Sequence, residues 1–189
     1  MEASRAEVAA SAEAAPPGAG DAVSLTRVLR NLMTAPFVAR AHFPERTLDA
    51  IEAAIRTGES RHSGEICFAV EAALDLGDLW RGETARERAI EVFSELRVWD
   101  TAENNGVLIY LLLAERDVEI VADRGAAARI APEAWEPVCR AMEAHFREGR
   151  FEAGAIVGVN AVHELLAAHF PTNGERANAN ELRDRPLVR

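Results

Sequence analysis

The sequence predicts an α/β protein: a three-layer α/β/α sandwich built on a small mixed sheet. Three observations predict it. A polar turn, Glu103-Asn104-Asn105-Gly106, opens a continuous apolar run through Ala114, which is the pattern of a strand buried on both faces. A charged turn, Glu115-Arg116-Asp117, leads into the alternating stretch Val118 to Ala122, the pattern of a second strand folded back on the first. Upstream, Gly64 to Ala72 alternates Ile66, Phe68 and Val70 with Cys67, Ala69 and Glu71, and a helical stretch separates it from the apolar run. That order is a parallel β-α-β crossover followed by an antiparallel hairpin strand.

The remaining elements follow in chain order. Residues 1–22 are rich in Ala, Glu, Pro and Gly and offer too little apolar bulk to order themselves. Residues 23–41 form a basic amphipathic segment whose short helix, Leu25 to Met33, is capped by Ser24 and followed by Pro36, with Arg27, Arg30 and Arg40 on a stretch free of acids between Asp21 and Glu45. Its Leu and Val residues are expected to pack on the domain, while its arginines offer peripheral contact with a membrane surface or a protein partner. Pro44 suits the first turn of a helix to Glu59 that carries Leu48, Ile51 and Ile55 on one face. A loop from Asp75 to Gly82 follows the first strand. Thr84 opens a helix to about Val98, and Pro132 opens another to about Arg147, with Trp135, Val138, Met142 and Phe146 at helical spacing. Phe151 to His169 is the last helix. Residues 171–189 read as a flexible polar tail, so the folded domain is expected over 42–170.

Composition excludes several functions. The 189 residues carry a formal net charge of −10, which opposes general nucleic-acid binding. All 21 basic residues are Arg, a mark of genome composition. No apolar run reaches the ~18 residues that cross a bilayer, and Met1 to Gly20 lacks the basic start and apolar block of a signal peptide. A cytoplasmic protein without a transmembrane segment is the expectation. Cys67 and Cys139 are expected to be buried free thiols, and Trp80, Trp99 and Trp135 to lie in the core or at its rim. Arg61-His62-Ser63-Gly64-Glu65 departs from the histidine-phosphatase signature, because Ser63 separates His from Gly. His163 and His169 stand six apart, whereas zincins place histidines four apart on one helix face; His163 is expected to be a surface or helix-packing residue.

The predicted topology gathers polar residues at one end of the sheet. The first two strands start there and the third ends there. His62 and Glu65, the Asp100/Glu103/Asn104/Asn105 turn, and Asp123/Arg124 should therefore converge. Carboxylates and amide oxygens of this kind suit Ca²⁺ or Mg²⁺; turn residues that merely satisfy loop backbone are the alternative.

Several of these segments together resemble the TPM domain, shared by thylakoid lumen proteins and many bacterial membrane-anchored proteins. They are the Gly64-Glu65-Ile66 strand start, the Asn104-Asn105-Gly106-Val107-Leu108 turn, the Val118-Glu119-Ile120 return strand, and Phe146-Arg147-Glu148-Gly149-Arg150-Phe151 through Gly154. The resemblance covers about residues 42–170. It implies an α/β/α sandwich with a polar cleft, and links to acid-phosphatase activity, calcium binding and the upkeep of membrane complexes. Glu65 matches the family's strand-start acid; Asn105 and Gly106 match its Asn-Gly pair. Asn104 stands where an acid is usual, and Asp123-Arg124-Gly125 where the family is Gly-rich. The family's common membrane anchor is not expected here.

The roles expected from this reading are divalent-metal ligation by Glu65, Asp100, Glu103 and Asp123, and ligand contacts from His62, Asn104, Asn105 and Arg124, with Arg124 steadying a phosphate. No organic cofactor is expected. Weak metal-assisted phosphoester hydrolysis is the corresponding activity, since no nucleophile with an adjacent base is evident. A non-catalytic module with a vestigial cleft, docking to a protein or a membrane surface, is the competing expectation.

Overall fold

A computed structural model describes residues 24–34, 36–172 and 180–189, so the expectation for residues 1–22 lies outside the described residues. The sheet holds four strands in the order β3-β2-β1-β4: β1 (Glu65–Glu71), β2 (Gly106–Leu112), β3 (Asp117–Ala122) and β4 (Leu187–Val188). β1 and β2 run parallel, with Glu65 opposite Gly106. β3 returns antiparallel, with Val107 opposite Ala122. The hairpin turn is tight enough to force that direction.

Two apolar layers sandwich the sheet. Ile66, Phe68 and Val70 of β1, with Val107, Ile109 and Leu111 of β2, face α2 (Pro36–His42), α3 (Glu45–Glu59), α7 (Glu136–Arg147) and α8 (Phe151–His169). Cys67, Ala69, Leu108, Tyr110 and Leu112 face α4 (Leu76–Trp80) and α5 (Ala85–Glu95) on the other side. Alternation along each strand thus feeds both layers, which is why the apolar runs are continuous. α5 starts on a capping box in which the Thr84 hydroxyl accepts from the Glu87 N–H and the Glu87 carboxylate accepts from the Thr84 N–H. α8 has the length of a bilayer-spanning helix and a mean hydropathy of 1.2. Its apolar face is core, with Ala155, Val159, Val162 and Leu166 fully buried against α3 and α7.

Four expectations need correction. The tail does not hang free over 180–189: β4 pairs with the β1 edge, and Arg185 bridges Glu45, Asp49 and Glu52 of α3. Backbone pairing and ion pairs hold it, so its polar composition misled. In the basic segment α1 (Leu25–Met33) has the expected bounds and α2 begins at Pro36, but α1 turns its polar side inward, against the expected packing of its apolar residues. Asn31 is buried, while Leu25, Leu29, Leu32 and Met33 are exposed. The loop after β1 contains α4. Trp135 is core, but Trp99 is 45% exposed and Trp80 81% exposed.

Candidate functional site

The polar end of the sheet is assembled from three chain segments. The first is the short loop between α3 and β1. There the Ser63 hydroxyl donates to Glu103 Oε2 at 2.8 Å, and Asn105 Nδ2 donates to the Ser63 carbonyl at 2.9 Å and to its Oγ at 3.2 Å. The second is the turn before β2, where the Asn105 N–H donates to Thr101 Oγ1 and Asn104 takes a left-handed φ of 54°, which Asn tolerates better than most side chains. The third is the start of α6 (Arg124–Ala127), where the Gly125 and Ala126 N–H groups both donate to the Asn104 carbonyl. Glycine is required at 125: a Cβ would sit 2.5 Å from the Glu103 carbonyl oxygen. Gly106 is pinned the same way, 2.0 Å from the Val98 carbonyl oxygen.

Asp123 closes this group. Its backbone N–H donates to the Gly106 carbonyl. Its Oδ1 accepts from the Arg124 N–H at 2.7 Å, while Oδ2 is buried with no hydrogen-bond partner among the described residues. Burial raises its pKa, against the Arg124 N–H and then the Arg124 charge, which lower it. The Arg124 side chain is exposed and makes no hydrogen bond or ion pair among the described residues.

Other expected site residues lie elsewhere. Asp100 is exposed, with no side-chain hydrogen bond or ion pair among the described residues. Glu65 turns toward the C-terminal segment, where its Oε2 accepts from the Glu181 and Leu182 N–H groups at 3.3 Å each. Glu59 lies nearby and accepts from the Ile66 N–H through Oε1. Burial, then the Glu65 charge, pushes the Glu59 carboxyl up to about 8. His62 points inward: Nδ1 lies 3.0 Å from the Gly64 carbonyl oxygen and Nε2 lies 2.7 Å from Nδ1 of His163. Ser63, Glu59 and His163 are the polar residues that the sequence did not single out for this region. A serine beside a carboxylate carries no local signal, and His163 is 101 residues from its partner.

Among the described residues, no group of three or more His, Cys, Asp or Glu side chains is placed to hold a metal. Nor does any described side chain other than Ser63 hydrogen-bond the Glu103 carboxylate. The Ser63–Glu103 contact therefore lacks the third, orienting group of a nucleophile–base system. The donors that remain are the unpartnered Asp123 Oδ2 and the exposed Glu103 carboxylate. Two hard carboxylates suit an ion completed by water or ligand oxygens better than an all-protein cage.

The sandwich, with a polar turn at one end of a mixed sheet, defines an α/β domain of the TPM class. The model of the TPM domain matches residues 40–165, two thirds of the chain, so this protein belongs to the TPM domain family. Among solved structures, the BA42 protein of the psychrophilic bacterium Bizionia argentinensis is 28% identical with a TM-score of 0.62, and the match covers 75% of this chain and 92% of that one. The N-terminal domain of a protein from P. gingivalis is 20% identical with a TM-score of 0.54, covering 68% and 81%, a likeness of fold alone. None of the curated proteins compared with the chain matches it.

Proposed function

We propose that this TPM-domain protein binds a phosphate-bearing ligand through Mg²⁺ at the polar end of its sheet. Asp123 and Glu103 supply the carboxylates, the Asn104-Asn105 turn holds them, and Arg124 contacts the phosphate. The observation that carries this reading is the buried, unpartnered Oδ2 of Asp123. A buried acceptor without a donor costs free energy, and a cation removes that cost. Mg²⁺ fits better than Ca²⁺, because it keeps several waters and binds through one or two carboxylates plus phosphate oxygens, whereas Ca²⁺ takes six to eight oxygens. Glu65 is outside this ligand set, since the C-terminal segment already holds its carboxylate. Ligand binding is the proposed activity; among the described residues the Ser63–Glu103 contact has no orienting partner and offers no activated protein nucleophile, so hydrolysis at this site would have to use a metal-bound water.

The test is a heteronuclear NMR titration with Mg²⁺ and inorganic phosphate. Saturable shifts of the amides of 103–106 and 123–126, lost in Asp123→Asn, are expected. Unmoved amides at these positions would overturn the assignment.

A further inference from the structure

α1 is amphipathic, yet it is mounted with its apolar side outward. Arg27 and Asn31, one turn apart, anchor it. Arg27 Nε donates to Glu115 Oε1 at 2.8 Å and its Nη2 to the Glu83 carbonyl; Asn31 Nδ2 reaches the same Glu115 oxygen at 3.1 Å, and Asn31 Oδ1 accepts from the Leu74 N–H at 2.9 Å. The opposite arc holds Leu25, Leu29, Leu32 and Met33, between 52% and 84% exposed. Phe37 of α2 is 72% exposed, and α4, which packs beside α1, presents Trp80. Scattered apolar residues on a surface are ordinary, but a contiguous apolar face of this kind marks a contact.

Charge identifies the occupant. Residues 24–44 contain three arginines and no acid, on a chain of net charge −10. Arg30 and Arg40 are exposed and make no ion pair among the described residues. Arg116, exposed in the β2–β3 turn, lies beside His42 of α2, where its charge adds to burial in lowering the histidine's pKa. Exposed leucines, methionine and phenylalanine on α1 and α2, with the exposed Arg30 and Arg40 on the same two helices and Trp80 on neighbouring α4, match an interfacial helix pair lying on lipid. A second copy is a poor fit, because it brings another −10 with it.

We propose that the outward face of α1 and α2, with Trp80, docks the protein on an anionic lipid surface. The geometry sets the orientation of the docked protein. α1 is bonded to the turn after β2 and to Leu74 after β1, at the sheet end opposite Ser63, Asn105 and Asp123. The polar end of the domain then faces away from the lipid. This proposal is independent of any ligand at that end.

The test is co-sedimentation of the full chain with vesicles, either mixed phosphatidylglycerol and phosphatidylcholine or pure phosphatidylcholine. The chain should pellet with the anionic vesicles, lose this at high salt, and show a blue shift of Trp80 emission that disappears in Trp80→Phe. Leu29→Asp with Met33→Asp should lower partitioning at least tenfold. Arg30→Ser and Arg40→Ser should each lower it about fivefold, the fold-change equivalent to ~1 kcal/mol per basic residue at an anionic surface. All four positions are solvent-exposed, so circular dichroism should confirm an intact fold. A wild-type chain that stays in the supernatant, or pellets equally with the Leu29→Asp/Met33→Asp variant, would overturn the proposal. So would a dimer that these two substitutions dissociate, if no vesicle binding accompanies it; that result would assign the face to a second copy.

Discussion

His62 Nε2 lies 2.7 Å from His163 Nδ1, joining the loop before β1 to the centre of α8. The outer nitrogens face carbonyl oxygens, of Gly64 at 3.0 Å and Ala54 at 3.2 Å. Two neutral rings carry two N–H groups for these three contacts. One N–H takes the inner contact and the other an outer carbonyl, so the tautomer of the pair decides whether Gly64 or Ala54 receives it. Gly58 is the residue that lets α3 approach: a Cβ there would lie 2.1 Å from the His163 ring.

The pair makes stability depend on acid. Both histidines are lowered from 6.5 to about 4, chiefly by burial; the His163 charge adds to the shift of His62 and Arg61 to that of both, while the Gly64 and Ala54 carbonyls and Glu164 oppose it. Each therefore binds its proton better in the unfolded chain. Their contribution is complete above pH 6.5 and is lost as pH falls toward 4. Urea melts across that window should show the loss, and His163→Ala should flatten it. The same variant should cost about 1–3 kcal/mol for the lost buried hydrogen bond to His62, with a further cavity cost.

Glu59 acts in the opposite sense. Its carboxyl sits near 8 in the folded chain against 4.5, so the folded state holds that proton more tightly. The stability it contributes is present below pH 4.5 and is lost as pH rises through 8. Glu59→Gln keeps an acceptor for the Ile66 N–H and removes the charge. It should raise stability at pH 8 and above, by about 1.4 kcal/mol for each pH unit of displacement relieved. Chemical denaturation at pH 5 and pH 8.5 would check both the gain and its absence in acid.

Gly106→Ala should be among the costlier glycine substitutions, since its Cβ would meet the Val98 carbonyl oxygen at 2.0 Å and backbone cannot swing aside. A loss of about 1–3 kcal/mol or more is expected. Gly82, at a φ of 74° with open space around it, should suffer only its backbone strain when changed to Ala, about 1–2 kcal/mol. Thermal melts of the two variants side by side would separate the two causes.

The anchor of α1 predicts a local effect. Asn31→Leu removes the donor to Glu115 and the acceptor for the Leu74 N–H. Hydrogen exchange at Leu74 and through α1 should accelerate while β1 and β2 keep their protection.

What the sequence made legible was what periodicity controls. The run from Gly106 and the alternation of Val118 to Ala122 marked β2 and β3, and α8 begins at Phe151 and ends at His169 as its pattern and Pro171 suggested. The convergence of Glu103, Asn104, Asn105 and Asp123 followed from strand direction alone. β4 was not legible, because two residues in an Arg-rich segment are held by backbone pairing with the β1 edge. The orientation of α1 was not legible either. Amphipathicity shows where the apolar face is, but only Arg27 and Asn31 with their partners decide which face meets the domain. The His62–His163 contact depends on tertiary proximity that no spacing reveals.

The central claim is that Asp123 is a ligand and not merely a cap. Melting temperature against Mg²⁺ concentration, with and without inorganic phosphate, tests it most directly in wild type and Asp123→Asn. A ligand of the folded state raises stability as its concentration passes Kd. A saturable rise is expected, larger with phosphate present and absent from the variant. A flat response in wild type, or an equal rise in Asp123→Asn, would contradict it.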